Sequence, residues 1–140
     1  VREKWGLTYG IGTGIAARDL SEEWLGQFQA SNDKVAEAIA VVRDEWAKMA
    51  TGGVTENELA TAKTYMTGAY PLRFEGNGAI ANILVGMQML GLPADYPKTR
   101  NDKVNAVTLQ DVQRVAARLM KPDNLFFTVV GQPAGLAATD

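Results

Sequence analysis

Two side chains near the start of the sequence, Arg2 and Tyr9, are the strongest candidates for chemistry. They lie seven positions apart in the stretch REKWGLTY, just ahead of a glycine-rich segment. A guanidinium and a phenol are both strong hydrogen-bond donors. If they converged on one carbonyl oxygen, they would polarise a peptide bond and stabilise the negative charge that grows there during attack. The alternative interpretation is that Tyr9 is an ordinary strand aromatic and Arg2 a solvated charge.

The glycines that follow fit part of a dinucleotide-binding fingerprint, but not its context. The segment Gly12-Thr-Gly-Ile-Ala-Ala17 has the G-x-G-x-x-A spacing. The fingerprint also needs a strand before the glycines, a helix directly after them and a second parallel strand with an acidic residue. Here Gly10, Gly12 and Gly14 fall inside a predicted strand over 5–15, all on one face. We therefore favour a glycine-lined strand that another segment approaches closely.

Composition and charge narrow the possible functions. The 140-residue chain is 46% hydrophobic and 21% charged, which is ordinary for a folded domain with a substantial core. Its net charge of -2 gives no electrostatic reason to expect nucleic acid or an anionic membrane as a partner. The sequence has no long apolar run and no signal-peptide pattern, so we expect no membrane span.

Two residue types are absent from the sequence, which excludes several catalytic chemistries. Without cysteine there is no disulfide framework, no thiolate zinc site and no cysteine nucleophile. Without histidine there is no Ser-His-Asp triad and no histidine-based zinc motif. We therefore expect no cofactor or metal ion on this chain alone. The adjacent carboxylates Glu22-Glu23 and Asp44-Glu45 are interpreted as solvated surface groups.

The order of predicted elements is strand, strand, a run of helices and a final strand, which is typical of an α+β domain. A strand is predicted over 5–15, with Leu7 and Tyr9 on one face, and a buried strand over 125–130. Residues 22–30 suit either a strand or a helix, and we favour a strand because Ser31-Asn32-Asp33 is typical of a helix start. Helices are predicted over 33–50 and 78–90 from their apolar spacing. A helix that starts at the Thr55–Glu58 capping box is expected to end near Pro71, and a short helix follows Pro97. The last helix starts at Thr108 with Asp111. We expect a two-layer domain over 1–133, with helices on one face of an antiparallel-type sheet, and a disordered tail over 134–140.

Four motifs in order along the chain resemble the C-terminal domain of the M16 peptidases, the family of pitrilysin, insulysin and the mitochondrial processing peptidase. REKWGLTY resembles the motif R-x-x-x-G-L-x-Y, and Gly53-Val-Thr-Glu-Asn-Glu-Leu59 with Ala62-Lys63 resembles G-V-T-x-x-E-L-x-x-A-K. Ala106-Val-Thr-Leu-Gln-Asp-Val112 is similar to an A-V-T-x-x-D-V helix start, and the segment from Pro122 to Gly131 is similar to a terminal P-x-x-L…VVG strand. Together the four motifs are far more specific than any one alone.

This resemblance implies a division of roles between two α+β domains. One domain carries an inverted zinc motif, H-x-x-E-H, and the other closes over the peptide substrate. By the resemblance, Arg2 and Tyr9 are the donors to the substrate carbonyl, and zinc is held by another domain or subunit. The chain has no H-x-x-E-H, and we expect it to begin part way into such a C-terminal domain. We favour a zinc-less bacterial subunit over one half of a single two-domain chain.

Two functions from different classes stay open. The first is the substrate-binding half of a zinc metallopeptidase, with a peptide substrate, a zinc-bearing M16 domain or subunit as partner, and no activity of this chain alone. The second is an inactive M16-like structural or interaction module, which has no need for the donor pair. Exposed apolar area could also drive self-association. The compartment is not fixed, although exported bacterial relatives suggest the periplasm.

Overall fold

The computed structural model describes residues 1–18 and 20–137 and confirms an α+β fold. The described strands, β1 (Ile11–Ala17) and β2 (Glu22–Phe28), form one antiparallel sheet. The described helices are α1 (Val35–Gly52), α2 (Glu56–Ala69), α3 (Asn77–Met89), α4 (Tyr96–Ala106) and α5 (Leu109–Leu119). The chain divides into two compact units, the first made of residues 1–51 with the described residues from 117 onward, and the second of residues 52–116. The single domain over 1–133 stays a prediction.

The hairpin is held by an antiparallel ladder in which Thr13 lies opposite Gly26 and Ile15 opposite Trp24. Because strand side chains alternate between faces, these pairs share one face of the hairpin, and the β1 glycines share the other. A methyl group at Gly26 would meet Thr13 Cγ2 at 3.0 Å, so a residue without a side chain fits this pair best. The predicted second strand is confirmed, with its end two residues earlier than expected.

The first strand begins later than the predicted 5–15, because the preceding residues close a turn. The Gly6 N–H donates to the Arg2 carbonyl oxygen at 2.9 Å, and Gly6 has a φ of +61°, a region that glycine enters without steric cost. Leu7 is 5% exposed whereas Tyr9 is 95% exposed. The predicted strand start, and the shared face of Leu7 and Tyr9, are therefore wrong.

Helix α1 packs on one face of the hairpin within the first unit. The rings of Trp46 in α1 and Trp24 in β2 lie 4.9 Å apart, centroid to centroid, at an interplanar angle of 59°. Near the start of the helix, Val35 and Ala38 are buried, as expected for apolar residues at helical spacing. The first unit therefore has the predicted arrangement of a helix layered on an antiparallel sheet.

The second unit is built from helices, and a side-chain cap fixes the start of α2. The Glu58 N–H donates to Thr55 Oγ1 at 3.2 Å, and the Thr55 N–H donates to Glu58 Oε2 at 2.8 Å. This is the reciprocal capping box that the spacing predicts at the start of α2. Arg100 connects α4 to the end of α2. Its guanidinium donates to the carbonyl oxygen of Met66 in α2 at 3.0 Å and lies 4.3 Å from the ring centroid of Tyr70, the residue that follows α2. Tyr70 is buried, so this stack forms part of the interior of the unit.

Residues 125–130 are neither a paired strand nor buried, so this prediction is wrong. Phe126 and Val130 are each 97% exposed, whereas Leu125 and Phe127 are half-buried. A run of aromatic and β-branched residues favours a strand, but a ladder also needs a neighbour that pairs with its backbone. The only sheet among the described residues consists of β1 and β2, so the run has no neighbour there.

The structure also bears on the chain's tail and on membrane spanning. Of the predicted disordered tail over 134–140, residues 138–140 lie outside the described residues. The Ala134 N–H donates to the Asn32 carbonyl oxygen at 2.8 Å, so the start of this tail is tied to the first unit. Among the described helices, none combines the length and hydropathy that crossing a bilayer requires.

Candidate functional site

Arg2, the first of the two proposed donors, lies in an exposed turn and is engaged locally. Its Nη2 donates to Oε1 of the neighbouring Glu3 at 2.9 Å, and both side chains are more than half exposed. An exposed ion pair of this kind contributes little to stability and exchanges readily with water. The guanidinium can therefore leave Glu3 for another acceptor at small cost.

Tyr9 projects into solvent from a well-anchored piece of backbone. The two residues before it, Leu7 and Thr8, are 5% and 8% exposed. Thr8 Oγ1 donates to the Gly10 carbonyl oxygen at 2.8 Å and lies 3.2 Å from the Gly10 N–H, which donates to it. The phenol is 95% exposed and makes no hydrogen bond with any described residue. The buried residues Leu7 and Thr8 therefore fix the backbone just before Tyr9, while the Tyr9 side chain is accessible to solvent.

The structure does not join Arg2 to Tyr9 by any direct interaction. Within the described residues, the side-chain partner of Arg2 is Glu3, and no hydrogen bond or ring contact connects the guanidinium with the phenol. The joint role of the two side chains as carbonyl donors stays a prediction. What the geometry provides is two accessible donors on one short segment that precedes β1.

The glycine-lined face of the hairpin is open. A methyl group placed at Gly10, Gly12 or Gly14 would meet nothing within 4 Å among the described residues. The close approach that these glycines suggest is therefore not made by any described part of this chain. Alanine at any of these three positions would therefore cause no steric clash within the described structure.

The ionisable groups whose pKa values are shifted lie at helix starts or in surface ion pairs. The Thr108 hydroxyl and backbone N–H, together with Arg114, lower the pKa of Asp111 from 3.8 to about 2. The pKa of Glu58 is lowered because it accepts hydrogen bonds from Thr55. The pKa of Lys48 is raised by hydrogen bonds to the neighbouring carboxylates on α1. These shifts have structural causes, and none of them lies beside Arg2 or Tyr9.

A second feature of the first unit, missed by the sequence analysis, is a groove of about 530 Å³ that we call the strand groove. The hairpin forms one side and residues 125–130 form the other, with the apolar side of α1 as the floor. The lining includes Ile11, Thr13, Trp24, Phe28, Val35, Ile39, Val42, Trp46 and residues 125–130. The groove was missed because 125–130 was expected to lie within a buried sheet.

Arg43 ties one side of the strand groove to its floor. Its Nη1 donates to the Pro122 carbonyl oxygen at 2.6 Å, and its Nη2 donates to the Leu125 carbonyl oxygen at 3.0 Å. The guanidinium also lies 5.1 Å from the ring centroid of Phe127. A signal for this role exists in the sequence, because Arg43 comes four residues after Ile39 and so falls on the apolar side of α1.

Comparisons with known proteins show what this chain is similar to. Residues 1–66 match the family model described as the Peptidase M16 inactive domain. This match covers the turn with Arg2, the Tyr9 segment, the hairpin and α1. The resemblance to a zinc-less M16 C-terminal domain, found from four sequence motifs, is thereby confirmed.

A curated relative points the same way. The chain is 22% identical over 130 residues to the non-peptidase homolog YmxG of Helicobacter pylori (strain ATCC 700392 / 26695). The aligned region is 93% of this chain but 30% of that protein, so the chain spans less than a third of the relative it matches. The family model is described as an inactive domain and the relative as a non-peptidase homolog, and these two descriptions agree better with an inactive module than with half of a zinc peptidase.

Proposed function

We propose that this chain is a catalytically inactive M16-type module that acts by binding other polypeptides. The match of residues 1–66 to the inactive domain of the family carries the proposal. The residue types present support it, since the chain has no histidine. Within residues 1–18 and 20–137, no three acidic side chains come together as a metal site. Without histidine, the chain cannot supply the H-x-x-E-H ligands that hold zinc in this family.

An assay of the purified chain tests this function directly. The chain is incubated with zinc and an unstructured fluorogenic peptide, and a zinc-bearing M16 peptidase serves as positive control. We expect no cleavage above the rate in buffer, because the chain has neither the metal ligands nor a general base of the family type. Cleavage that requires the chain and stops on addition of a chelator would contradict the proposal.

A second candidate function is favoured by the accessible hydroxyl of Tyr9. In this function, the chain supplies Arg2 and Tyr9 to a peptide whose scissile bond lies at a zinc site on another M16 domain or subunit. The two side chains would donate hydrogen bonds to the substrate carbonyl oxygen, where negative charge develops. The exposure of Tyr9, at 95%, supports this candidate because a donor must reach a substrate.

A reconstitution experiment distinguishes the two functions. The chain is mixed with a zinc-bearing M16 subunit, and peptide cleavage is measured for the wild-type chain, Tyr9→Phe and Tyr65→Phe. Tyr65 is a matched control, because it is also exposed, at 75%, but lies on α2. If the second function holds, Tyr9→Phe lowers kcat by about 10² to 10³, whereas Tyr65→Phe leaves it unchanged. If mixing produces no cleavage, or Tyr9→Phe keeps full activity, the donor role is refuted.

We also propose that copies of this chain associate with one another. Apolar side chains on the surface of the first unit include Ile15 and Leu25 in the hairpin, 70% and 54% exposed. Exposed apolar area of this kind is a common cause of association between copies. Light scattering over a range of protein concentrations measures it, and a mass that stays monomeric at high concentration would remove it from the proposal.

A further inference from the structure

One asparagine in the sequence, Asn77, is followed directly by a glycine, Gly78. In such a pair the backbone nitrogen of the glycine can attack the side-chain amide of the asparagine, because a residue without Cβ leaves that nitrogen unhindered and its backbone free to turn. The reaction is intramolecular, so it needs no enzyme. Whether it takes place depends on the exposure, the hydrogen bonding and the freedom of the backbone around the pair.

Both residues of the pair are exposed at the start of α3. A methyl group placed at Gly78, or at the preceding Gly76, would meet nothing within 4 Å among the described residues. Gly76 also has a φ of +84°, a conformation that glycine adopts without steric cost. Asn77 is therefore flanked by two glycines, in open space that a cyclic product can occupy.

The Gly78 N–H is one of the groups that a helix start leaves without an intrahelical acceptor. The N-cap residue of α3 is a glycine, which has no side chain to accept it, and the Gly78 N–H is not donated to any described residue. The first turn of α2 differs, because the Glu58 N–H that follows Asn57 is donated to Thr55 Oγ1 at 3.2 Å. The nitrogen that would attack is thus engaged at Asn57 but free at Asn77.

Attack also requires the first turn of α3 to open. In a helix, a ψ of about −42° directs the next nitrogen along the helix axis, away from the line of attack on the side-chain carbon. A side-chain cap makes such opening about fivefold rarer, and α3 has no side-chain cap. Just before this turn, the Phe74 and Tyr70 rings pack edge to face, 5.2 Å apart between centroids. The reaction therefore needs movement only at the glycine-flanked start of α3.

We propose that Asn77 is a site of spontaneous deamidation in this protein. A base removes the proton of the Gly78 amide, the nitrogen forms a bond to Asn77 Cγ, and the Cγ–Nδ2 bond breaks. The leaving nitrogen takes a proton from water and departs as ammonia, which leaves a cyclic imide between the two residues. Water then opens the imide, at Cγ to give an aspartate or at the backbone carbonyl carbon to give an isoaspartate. This inference does not depend on either proposed function.

The two products affect α3 differently. An aspartate places a negative charge at the first helical position, where it is favourable and where α3 has no acidic residue in its first turn. An isoaspartate routes the main chain through the side chain and adds a methylene group to the backbone, so position 77 no longer fits a helix. The composition of an aged sample therefore changes at one helix start, with one stabilising and one disruptive product.

Ageing the chain in mildly alkaline buffer tests the proposal. Samples are digested with trypsin, and the peptides of residues 49–63 and 74–98 are analysed by fragmentation mass spectrometry, while isoaspartate is counted with an isoaspartyl methyltransferase and a labelled methyl donor. Asn57 and Asn82 are internal controls, because both are exposed on helices. We expect conversion at Asn77 to be at least about fivefold faster than at Asn57, and faster than at Asn82, where the following N–H is bonded within α3.

Gly78→Ala gives a second readout. Its added methyl meets nothing within 4 Å, and alanine is a better helix former than glycine. We expect this variant to slow conversion at Asn77 by at least about fivefold, with a Tm that is unchanged or raised. Gly86→Ala is the matched control, because Gly86 lies in the same helix and also has open space around it. It should leave the rate at Asn77 unchanged.

The remaining outcomes each overturn the proposal. If Asn77 keeps its amide while the same peptide, unfolded in urea, is fully converted, the start of α3 does not open. Equal rates at Asn77 and Asn57 would show that the free nitrogen has no role. If the Gly78→Ala variant reacts as fast as the wild-type chain, attack by the Gly78 nitrogen is refuted. Conversion that yields no isoaspartate would assign the change to direct hydrolysis by water.

Discussion

Replacing Arg43 with alanine should destabilise the first unit more than any other single change of a charged residue described above. The side chain is half-buried and makes two charge-assisted hydrogen bonds to carbonyl oxygens, with an additional contact to Phe127. Hydrogen bonds of charged groups contribute about 1.5–3 kcal/mol each, and a cation–π contact contributes about 0.5–1 kcal/mol. Because these contributions are not additive and water replaces part of them, we expect a loss of about 3 kcal/mol.

The loss is measured by urea unfolding, followed by tryptophan fluorescence. Arg114→Ala is the matched control, because Arg114 is 65% exposed and its ion pair, with Asp111, is a surface pair. We expect it to change the free energy of unfolding by less than about 0.5 kcal/mol. Arg43→Lys should recover part of the loss, since an ammonium keeps the charge but not the planar fork.

Exchange or proteolysis near Pro122 and Leu125 gives a local readout of the same change. When Arg43 is removed, the segment from Pro122 to Leu125 loses both hydrogen bonds to the guanidinium and should open more often than the rest of the unit. If Arg43→Ala unfolds at the same urea concentration as the wild-type chain, the two hydrogen bonds contribute nothing measurable. The role of Arg43 in holding this side of the strand groove would then be refuted.

The remaining predictions concern pH and backbone conformation. The pKa of Asp111 is about 2 in the folded chain, below its ordinary value of 3.8, so its stabilising effect is present above pH 3.8 and is lost as the pH falls toward 2. Asp111→Asn should therefore flatten the dependence of the urea midpoint on pH in this range, and an unchanged slope would contradict the assignment. Gly53→Ala should cost about 1 kcal/mol or more, because Gly53 has a φ of +66° and its added methyl would lie 2.7 Å from Gln113 Cγ. Gly52→Ala, with open space and an ordinary φ, should be neutral or stabilising in the same thermal melt.

Local signals in the sequence predicted the helices well. The capping residues Thr55 and Thr108 fall immediately before helices in the structure, and each bonds the carboxylate three residues later. These features depend on residues close in sequence, so spacing alone is enough to find them. The second strand and α1 were also found to within two residues. Helix α1 has a clear apolar periodicity, whereas the strand was chosen because a helix start, Ser31-Asn32-Asp33, follows it directly.

Features that depend on distant parts of the chain were not predictable in the same way. The run at 125–130 has the composition of a buried strand, but its burial depends on a neighbour that no local pattern specifies. The anchoring role of Arg43 joins positions 79 and 82 residues apart in sequence. Arg2 and Tyr9 were selected from their chemistry and from a family motif. Their accessibility is a structural finding, while their joint action depends on a substrate and a partner domain.

The exposed run at 125–130 has a practical consequence for work with the 140-residue chain. Leu-Phe-Phe-Thr-Val-Val contains no charged residue and no proline, and Phe126 and Val130 face solvent. Such segments template cross-β aggregation when their backbone is unpaired. We therefore expect soluble protein to be lost slowly during concentration and storage. Phe126→Lys should slow this loss, because a charged residue within the run opposes aggregation.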